Sequence, residues 1–258
     1  MLGSAGCAPG VTSTALGLAL HWPRPTLLID ADPNPTQAVL AGYLGGTVTD
    51  PGGLTVIAAL HRAREDLDVL SAAMELPAPV GPDQPRWFLP GLTHPGAAAV
   101  FPPVWAALAP ALHALHQRHL DVIVDVGRIG VTLPAPLLAA AQAVLLVTRS
   151  SLRHLAALRV HLPHLQQHRE QVDAPGELGL MVIGAGAPYS AGEIESAFGV
   201  PVWGSLADDP PAATVFSEGA DPRRFSGSAL GRSINQTVEN TRRRLPVTRA
   251  LPATEAPR

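Results

Sequence analysis

The sequence contains no lysine, because all 18 of its lysine-or-arginine positions are arginine. No phosphate-binding site in this chain can therefore use a lysine ammonium. Cysteine is almost as scarce: Cys7 is the single one, which excludes an internal disulfide and agrees with a reducing compartment. Aromatic residues make up only 4% of the chain, so we expect a core built mainly from alanine, leucine and valine.

Long hydrophobic runs are also missing. The longest candidate, residues 133–147, is interrupted by Pro134, Pro136 and Gln142. It falls short of the roughly 20 apolar residues that a membrane-spanning helix needs. The first residues lack the basic start and the cleavage site of a signal peptide. We therefore expect a cytoplasmic protein, with a peripheral position at the inner face of the membrane as the alternative.

Apolar runs alternate with helical patterns along the chain, which predicts an α/β fold with a mostly parallel, twisted sheet between two layers of helices. We predict one domain over residues 1–245, irregular structure across the proline- and glycine-rich stretch 77–103, and a disordered tail over 246–258. The predicted strands are 26–30, 86–92, 121–127, 143–149, 178–186 and 200–206. The predicted helices are 12–21, 104–119, 152–171, 190–198 and 229–245.

The stretch "GSAGCAPGVTST" has the composition of a loop that binds phosphate at the start of a helix. Backbone N–H groups at such a start point outward and favour an anion. Thr12 occupies the position of a hydroxyl that binds Mg²⁺, and Ser13 can reach a phosphate oxygen. An ordinary tight turn between a strand and a helix is the alternative. The candidate cofactor site comprises eight consecutive residues: Gly6, Cys7, Ala8, Pro9, Gly10, Val11, Thr12 and Ser13.

Carboxylates accompany two of the predicted strands. Asp30 ends the run "TLLID" and Asp32 follows it, while Asp125 lies within "DVIVDVG". Ligands of an open parallel sheet bind beyond the carboxyl ends of its strands, so we expect these carboxylates beside the opening loop. Asp125 is the candidate for holding the water shell of Mg²⁺. Helix capping is the alternative role for Asp30 and Asp32.

These segments, together with "AVLLVTRS" and "VPVWGSLADDP", resemble the MinD/ParA group of deviant Walker A P-loop ATPases over about residues 2–206. The resemblance is closest to actinobacterial members with "PGVT" in the loop, which are associated with Tad-type pilus or type II/IV secretion ATPases. It implies a P-loop NTPase-like sheet, a nucleotide at the loop and a role in placing or assembling a larger machine. It also assigns the Walker B position to Asp125 and, if the protein is active, a catalytic, water-orienting role to Asp32.

The sequence departs from this family at the basic half of the site. The two lysines of the family's loop fall on Gly6 and Val11, and Cys7 replaces a further loop glycine. The first strand is reduced to Met1 and Leu2 in this reading, which leaves open whether the natural chain starts earlier. The acidic half of the site is kept, so a triphosphate would meet negative charge without the usual lysines.

The missing lysines predict poor turnover, because phosphoryl transfer depends mainly on electrostatic stabilisation. One charged donor contributes about 2.7–4 kcal/mol in a transition state. We therefore expect ATP and Mg²⁺ to bind weakly or not at all, and hydrolysis to stay near background. Arg128 and Arg149, at the ends of two strands, are alternative sources of positive charge if they are not simply surface residues.

Three functional hypotheses follow from these observations. The leading one is a positioning or scaffold factor with a degenerate nucleotide site that serves a pilus or secretion apparatus. The second is an active ParA/MinD-type ATPase in partitioning or spatial positioning, and the third is a structural module that binds no nucleotide. A protein partner is expected, with a secretion or pilus ATPase as the candidate. A homodimer is one arrangement that the sequence leaves open.

The C-terminal part of the chain is basic in an otherwise acidic protein of net charge −3. Residues 221–258 contain eight arginines against three acidic residues, with Arg242, Arg243 and Arg244 in succession. Because this cluster is small, we expect no strong nucleic-acid binding and at most a weak contact with anionic membranes. The preceding helix has a narrow apolar face, and we expect it to pack on the domain, with membrane contact as the alternative.

Overall fold

The computed structural model describes residues 1–6, 9–49, 52–78, 81–130 and 133–245. Eight strands form one sheet: β1 (Leu2–Ser4), β2 (Thr26–Asp30), β3 (Met74–Glu75), β4 (Arg86–Leu89), β5 (Asp121–Arg128), β6 (Ala143–Arg149), β7 (Glu177–Ile183) and β8 (Val202–Leu206). Their order across the sheet is β3-β4-β2-β5-β1-β6-β7-β8. Neighbouring strands are parallel, except for the antiparallel pair β3 and β4. The predicted fold class is confirmed.

Helices connect the strands. They are α1 (Val11–His21), α2 (Leu54–Ala63), α3 (Val69–Ala72), α4 (Pro102–Gln117), α5 (Ala135–Ala140), α6 (Leu152–Gln171), α7 (Ala191–Phe198), α8 (Pro210–Ser217) and α9 (Ala229–Arg244). Two 3₁₀ helices, Pro95–Val100 and Pro222–Gly227, and one π-helix, Val39–Tyr43, complete the described elements. All five predicted helices are present within two residues of their predicted ends.

The six predicted strands are all present, although two end earlier than expected. Strand β4 ends at Leu89 because Pro90 has no N–H to continue the ladder. Strand β7 ends at Ile183 because Gly184 takes a left-handed φ of 70°. The expectation of irregular structure over 77–103 was wrong in part, since β4, a 3₁₀ helix and the start of α4 lie there. Strand β1 extends to Ser4, so the expectation that the first strand is reduced to Met1 and Leu2 was wrong. Among the described strands and α-helices, those not predicted are β3, α2, α3, α5 and α8, and the 3₁₀ and π-helices were not predicted either.

Alternating side chains of β2 divide the core between the two faces of the sheet. Leu27 and Ile29 join an apolar cluster that also contains residues of α2, α4, α6 and α7. Leu28 joins a second cluster, together with residues of α1, α8 and α9. All three leucine and isoleucine side chains are at most 2% exposed. Both faces are therefore covered by helices, which is why the parallel strands read as continuous apolar runs in the sequence.

The last helix, α9, buries its apolar face. Leu230, Ile234 and Val238 are 8%, 1% and 3% exposed, and they belong to the second apolar cluster. The crossing with α1 is close, because a Cβ on Gly17 would lie 2.7 Å from Cδ1 of Ile234. The expectation that this helix packs on the domain is confirmed. In the part of the chain that the structure describes, no helix has both the length and the apolar character to cross a membrane.

Candidate functional site

The three segments singled out in the sequence meet at one edge of the sheet. Strands β2, β5 and β1 are neighbours, and their register places Asp30 beside Asp125 and Asp125 beside Leu2. The loop after β1 therefore starts close to Asp30, which ends β2, and to Asp125 in β5. A hydrogen bond from the Ala31 N–H to the Asp125 carbonyl, 2.7 Å long, ties the two strand ends together. This is the position at which open parallel sheets bind ligands.

The start of α1 has the geometry of an anion site. Gly10, the residue before the helix, takes a left-handed φ of 111°, and no described side chain caps the first turn. Its carbonyl accepts bonds from both the N–H and the hydroxyl of Thr14, at 2.9 and 2.8 Å. The N–H groups of Val11, Thr12 and Ser13 belong to the first helical turn and have no carbonyl partner within the helix. The predicted residues Cys7 and Ala8 lie outside the described residues, and Pro9 is buried.

Val11 lies where the resemblance places a loop lysine, and its side chain is buried. It is only 6% exposed and belongs to the apolar cluster that also contains Leu2 and Ile183. Gly6, at the other lysine position, has a φ of 152°, and within the described residues a Cβ there would meet the Cβ of Ala157 in α6 alone, at 3.8 Å. Neither lysine position of a conventional phosphate loop therefore carries a positive charge here, because Val11 packs in an apolar cluster and Gly6 has no side chain.

Asp125 is tied into this loop. Its carboxylate accepts a hydrogen bond from the Gly127 N–H at 2.8 Å and another from the Thr12 hydroxyl. The residue is 2% exposed. Burial raises the pKa of Asp125 to about 6, although both hydrogen bonds favour the ionised form. The pair of Thr12 and Asp125 brings together the two oxygen groups that the sequence predicted for Mg²⁺.

The pKa of Asp30 is far above its ordinary value, which the position of this residue in the sequence did not indicate. Burial, and in second place the charge of Asp125, raises the pKa of Asp30 to about 7. A hydrogen bond from the Asp32 N–H at 3.1 Å acts in the opposite direction but does not offset the burial. Gly91 faces this side chain, because a Cβ there would lie 2.6 Å from Cγ of Asp30. Near neutral pH, Asp30 is thus protonated in a fraction of the molecules.

Asp32 lies against the last residues of β5. A Cβ on Gly127 would lie 2.0 Å from Oδ2 of Asp32, so only glycine fits at that position. The Asn34 N–H donates to Oδ1 of Asp32 at 2.8 Å, and burial raises the pKa of Asp32 while the charge of Arg128 lowers it. The helix-cap alternative was wrong for Asp30 and Asp32, because both carboxylates accept bonds from a turn rather than from a helix.

The two arginines considered as substitutes for the lysines have different surroundings. Arg149 forms an ion pair with Asp208 at 2.6 Å, which joins the ends of β6 and β8. Arg128 is exposed and acts electrostatically on Asp32. Arg128 is therefore the better placed of the two to offset the acidic charge at this edge.

The residues present fit a magnesium ion that is shared with a phosphate. No group of three or more histidine, cysteine or acidic side chains among the described residues is arranged to hold a metal alone. Mg²⁺ usually takes one or two protein oxygens and completes its shell with water and phosphate, which is what Thr12 and Asp125 could support. The uncapped amides of α1 would supply hydrogen-bond donors for such a phosphate.

No protein-family model matches the chain, and no curated protein matches it. Several solved structures do. A ParA family ATPase from Chlorobium tepidum TLS superposes with a TM-score of 0.70 at 17% identity, covering 92% of this chain and 98% of that chain. MinD complexed with Mg-ADP from Pyrococcus horikoshii OT3 gives a TM-score of 0.65 at 15% identity and 93% coverage of both chains. The MinC:MinD complex from Aquifex aeolicus gives 0.65 at 14% identity, with 96% and 97% coverage. The protein therefore has the fold of ParA/MinD P-loop ATPases.

Proposed function

We propose that this protein is a MinD/ParA-like positioning or scaffold factor with a degenerate nucleotide site, which serves a pilus or secretion apparatus. The shared fold supports the positioning role. The pilus or secretion role rests on the "PGVT" loop, which resembles that of family members associated with such machines. A MinD of the same fold forms a complex with MinC, which supports a protein partner, and a homodimer is compatible with the proposal.

The observation that carries the proposal is the surroundings of Val11. A buried, uncharged side chain occupies the position of a loop lysine, while Asp30, Asp32 and Asp125 remain at the same edge of the sheet. A triphosphate brought there would face three carboxyl groups with no lysine to balance it. Each lost cationic donor removes about 2.7–4 kcal/mol of transition-state stabilisation, so hydrolysis should be near background.

In this proposal, ATP and Mg²⁺ bind weakly or not at all. When bound, Mg²⁺ would supply charge neutralisation at the phosphates. The Thr12 hydroxyl and Asp125 would hold the ion or its water shell, and the backbone N–H groups of residues 11–13 would donate hydrogen bonds to phosphate oxygens. Asp32 would orient a water molecule only if the site proves active. The proposed location is the cytoplasm, with a peripheral position at the inner face of the membrane as the alternative.

The test is calorimetry with Mg-ATP, together with a phosphate-release assay. We expect weak or undetectable binding and no turnover for the natural protein. Val11→Lys should raise the affinity at least tenfold, whereas the uncharged control Val11→Met should leave it unchanged. Steady turnover of about 1 s⁻¹ or more in the natural protein would overturn the proposal, since that is the range of competent phosphoryl-transfer enzymes.

The two alternatives make different predictions in the same experiments. Asp32, Asp125 and the nearby Arg128 favour an active ATPase, which would show turnover that Asp32→Ala abolishes. The buried Val11 side chain favours a structural module without nucleotide. In that case neither the natural protein nor Val11→Lys would bind Mg-ATP.

A further inference from the structure

The structure contains a cavity at the amino ends of the strands, at the edge of the sheet opposite the loop before α1. Its volume is about 480 Å³. Helices of both layers line it, with Ala109 and Leu112 of α4 on one face of the sheet and Leu18 of α1 on the other. A pocket on one face of a sheet would touch one layer only. The cavity therefore passes through the plane of the sheet, between two of its strands.

The two strands that bound the cavity are β5 and β6, whose amino ends face each other across it. Strand β1 lies between them, but it pairs with β5 only from Asp125 onward and with β6 only from Leu145 onward. The preceding residues, 121–124 of β5 and 143–144 of β6, have no strand between them in the described part of the chain. We term the space between these residues the slot, and it coincides with the cavity.

Backbone hydrogen-bonding groups point into the slot. The Asp121 N–H donates to the Pro25 carbonyl at 2.9 Å, on the side of β2. Because successive residues of a parallel strand direct their backbone groups to opposite sides, Val122 and Val124 direct theirs toward the slot. Both residues line the cavity, as does Ala143 on the opposite wall. Backbone N–H and C=O groups that are shielded from water need hydrogen-bond partners. The slot therefore fits an occupant with a peptide backbone better than it fits a small apolar molecule.

The hydrogen-bond pattern of β1 already runs up to the inner end of the slot. The Met1 amino group donates to the Ala143 carbonyl at 2.9 Å, and the Leu145 N–H donates to the Met1 carbonyl at 2.9 Å. In the register of β1 and β5, Met1 falls beside residue 124, so about three further residues in the same direction would reach the start of β5. We propose that the slot takes an extended, apolar segment of about three residues that leads into Met1 and continues β1 in parallel with β5 and β6.

The Met1 amino group favours a segment joined to this chain over a separate peptide. Burial lowers the pKa of this group from 8.0 to about 5, so its charged form is unfavourable in this place. A peptide N–H at the same position would keep the bond to the Ala143 carbonyl without a buried charge. A separate peptide would also lose translational and rotational freedom on binding, which a joined segment does not. The apolar side chains on both faces of the slot select apolar residues in the segment.

The segment would act on the loop through β1. Strand β1 has three residues and ends at Ser4, from which the chain enters the loop. A longer β1, paired on both sides, would hold the start of the loop more firmly between β5 and β6. The proposal does not depend on nucleotide binding, and its test is carried out without nucleotide. Its failure would therefore leave the proposed function to be decided by calorimetry alone.

The test compares the natural 258-residue chain with two lengthened chains. One carries a new initiator methionine and three valines before Met1. The other carries methionine, two valines and a proline next to Met1, which is similarly apolar but lacks the N–H that would bond the Val122 carbonyl. We expect the three valines to raise the urea midpoint of unfolding by about 0.5 M or more, and the proline chain to leave it at the natural value. Hydrogen exchange at the Val122 N–H should slow by about tenfold or more in the valine chain only, with the N–H groups of β7 unchanged as the reference.

Three results would overturn the proposal. The first is no gain in the urea midpoint with three valines. The second is an equal gain with the proline chain, which would mean that apolar filling suffices without strand pairing. The third is that the separate peptide acetyl-Val-Val-Val-amide slows exchange at Val122 of the natural chain as much as the joined valines do, which would assign the slot to a strand from a partner.

Discussion

The proton on Asp30 should make the stability of this protein fall as the pH rises toward neutrality. Burial, with the charge of Asp125 as a second cause, raises the pKa of Asp30 to about 7 from an ordinary 3.8. Between these values the folded protein holds a proton that the unfolded chain has released, so the stabilisation is complete below about pH 4 and is lost by about pH 7. At 1.36 kcal/mol per pKa unit, the loss amounts to about 4 kcal/mol. Asp125, with a pKa of about 6, contributes a loss of the same sign.

The replacement Asp30→Asn isolates this effect. The amide has the shape of the protonated carboxyl, and its oxygen can still accept the Asp32 N–H. We expect the variant to be about 2–4 kcal/mol more stable than the natural protein at pH 8, and nearly equal to it at pH 4. Urea unfolding from pH 4 to pH 8 measures both. Glu177→Gln is the control, because Glu177 is exposed at the start of β7 and its removal should change little at any pH.

The difference between Asp30→Asn and the natural protein must therefore grow with pH. A constant difference would show that the substitution acts through packing alone. A variant less stable than the natural protein at pH 8 would refute the reasoning outright, since it would mean that the ionised carboxylate is favoured in the fold.

Four further predictions test the fold and its charges. Gly127→Ala should cost at least about 2 kcal/mol in denaturant unfolding, because φ is 61° and the added Cβ would strike the Asp32 carboxylate. Ile234→Ala should cost about 2–5 kcal/mol in the same assay, since a fully buried side chain leaves a cavity. Arg242→Glu with Arg243→Glu should abolish any weak, salt-sensitive co-sedimentation with anionic vesicles, and unchanged sedimentation would exclude this segment. Filter binding of the full chain to random duplex DNA at physiological salt should be weak, and tight binding would contradict the low basic charge.

The sequence predicted the central strands because their signals are local. Strand β2 is an apolar run that ends in Asp30 and β5 is an apolar run that contains Asp125, and burial on both faces is what produces such runs. Helix α8 was missed because it is short and has little periodicity. A signal for it was nevertheless present, since Asp209 caps the helix by accepting from the Ala212 N–H and Pro210 follows as its first residue. Strand β3 has two residues and depends entirely on pairing with β4, which no local pattern encodes.

In the candidate site, too, the features that local sequence encodes were predicted, and those that depend on tertiary contacts were not. Thr12, Asp32 and Asp125 were predicted from their order and spacing, and the structure brings their segments together. The raised pKa of Asp30 could not be predicted, because it depends first on burial in the folded protein and second on the register that sets Asp30 beside Asp125. The need for glycine at position 127 depends on a side chain from another strand end, nearly a hundred residues away in the sequence.

The close crossing of α1 and α9 joins the loop before α1 to the C-terminal helix through a direct packing contact. Helix α1 begins directly after Gly10 of the loop, and its Gly17 is covered by the Ile234 side chain of α9. Because the Ile234 side chain fills the space above Gly17, a larger residue at position 17 would have to displace Ile234 and with it α9. The three arginines at the end of α9 are thus carried by a helix whose position is set by the helix that begins at the loop.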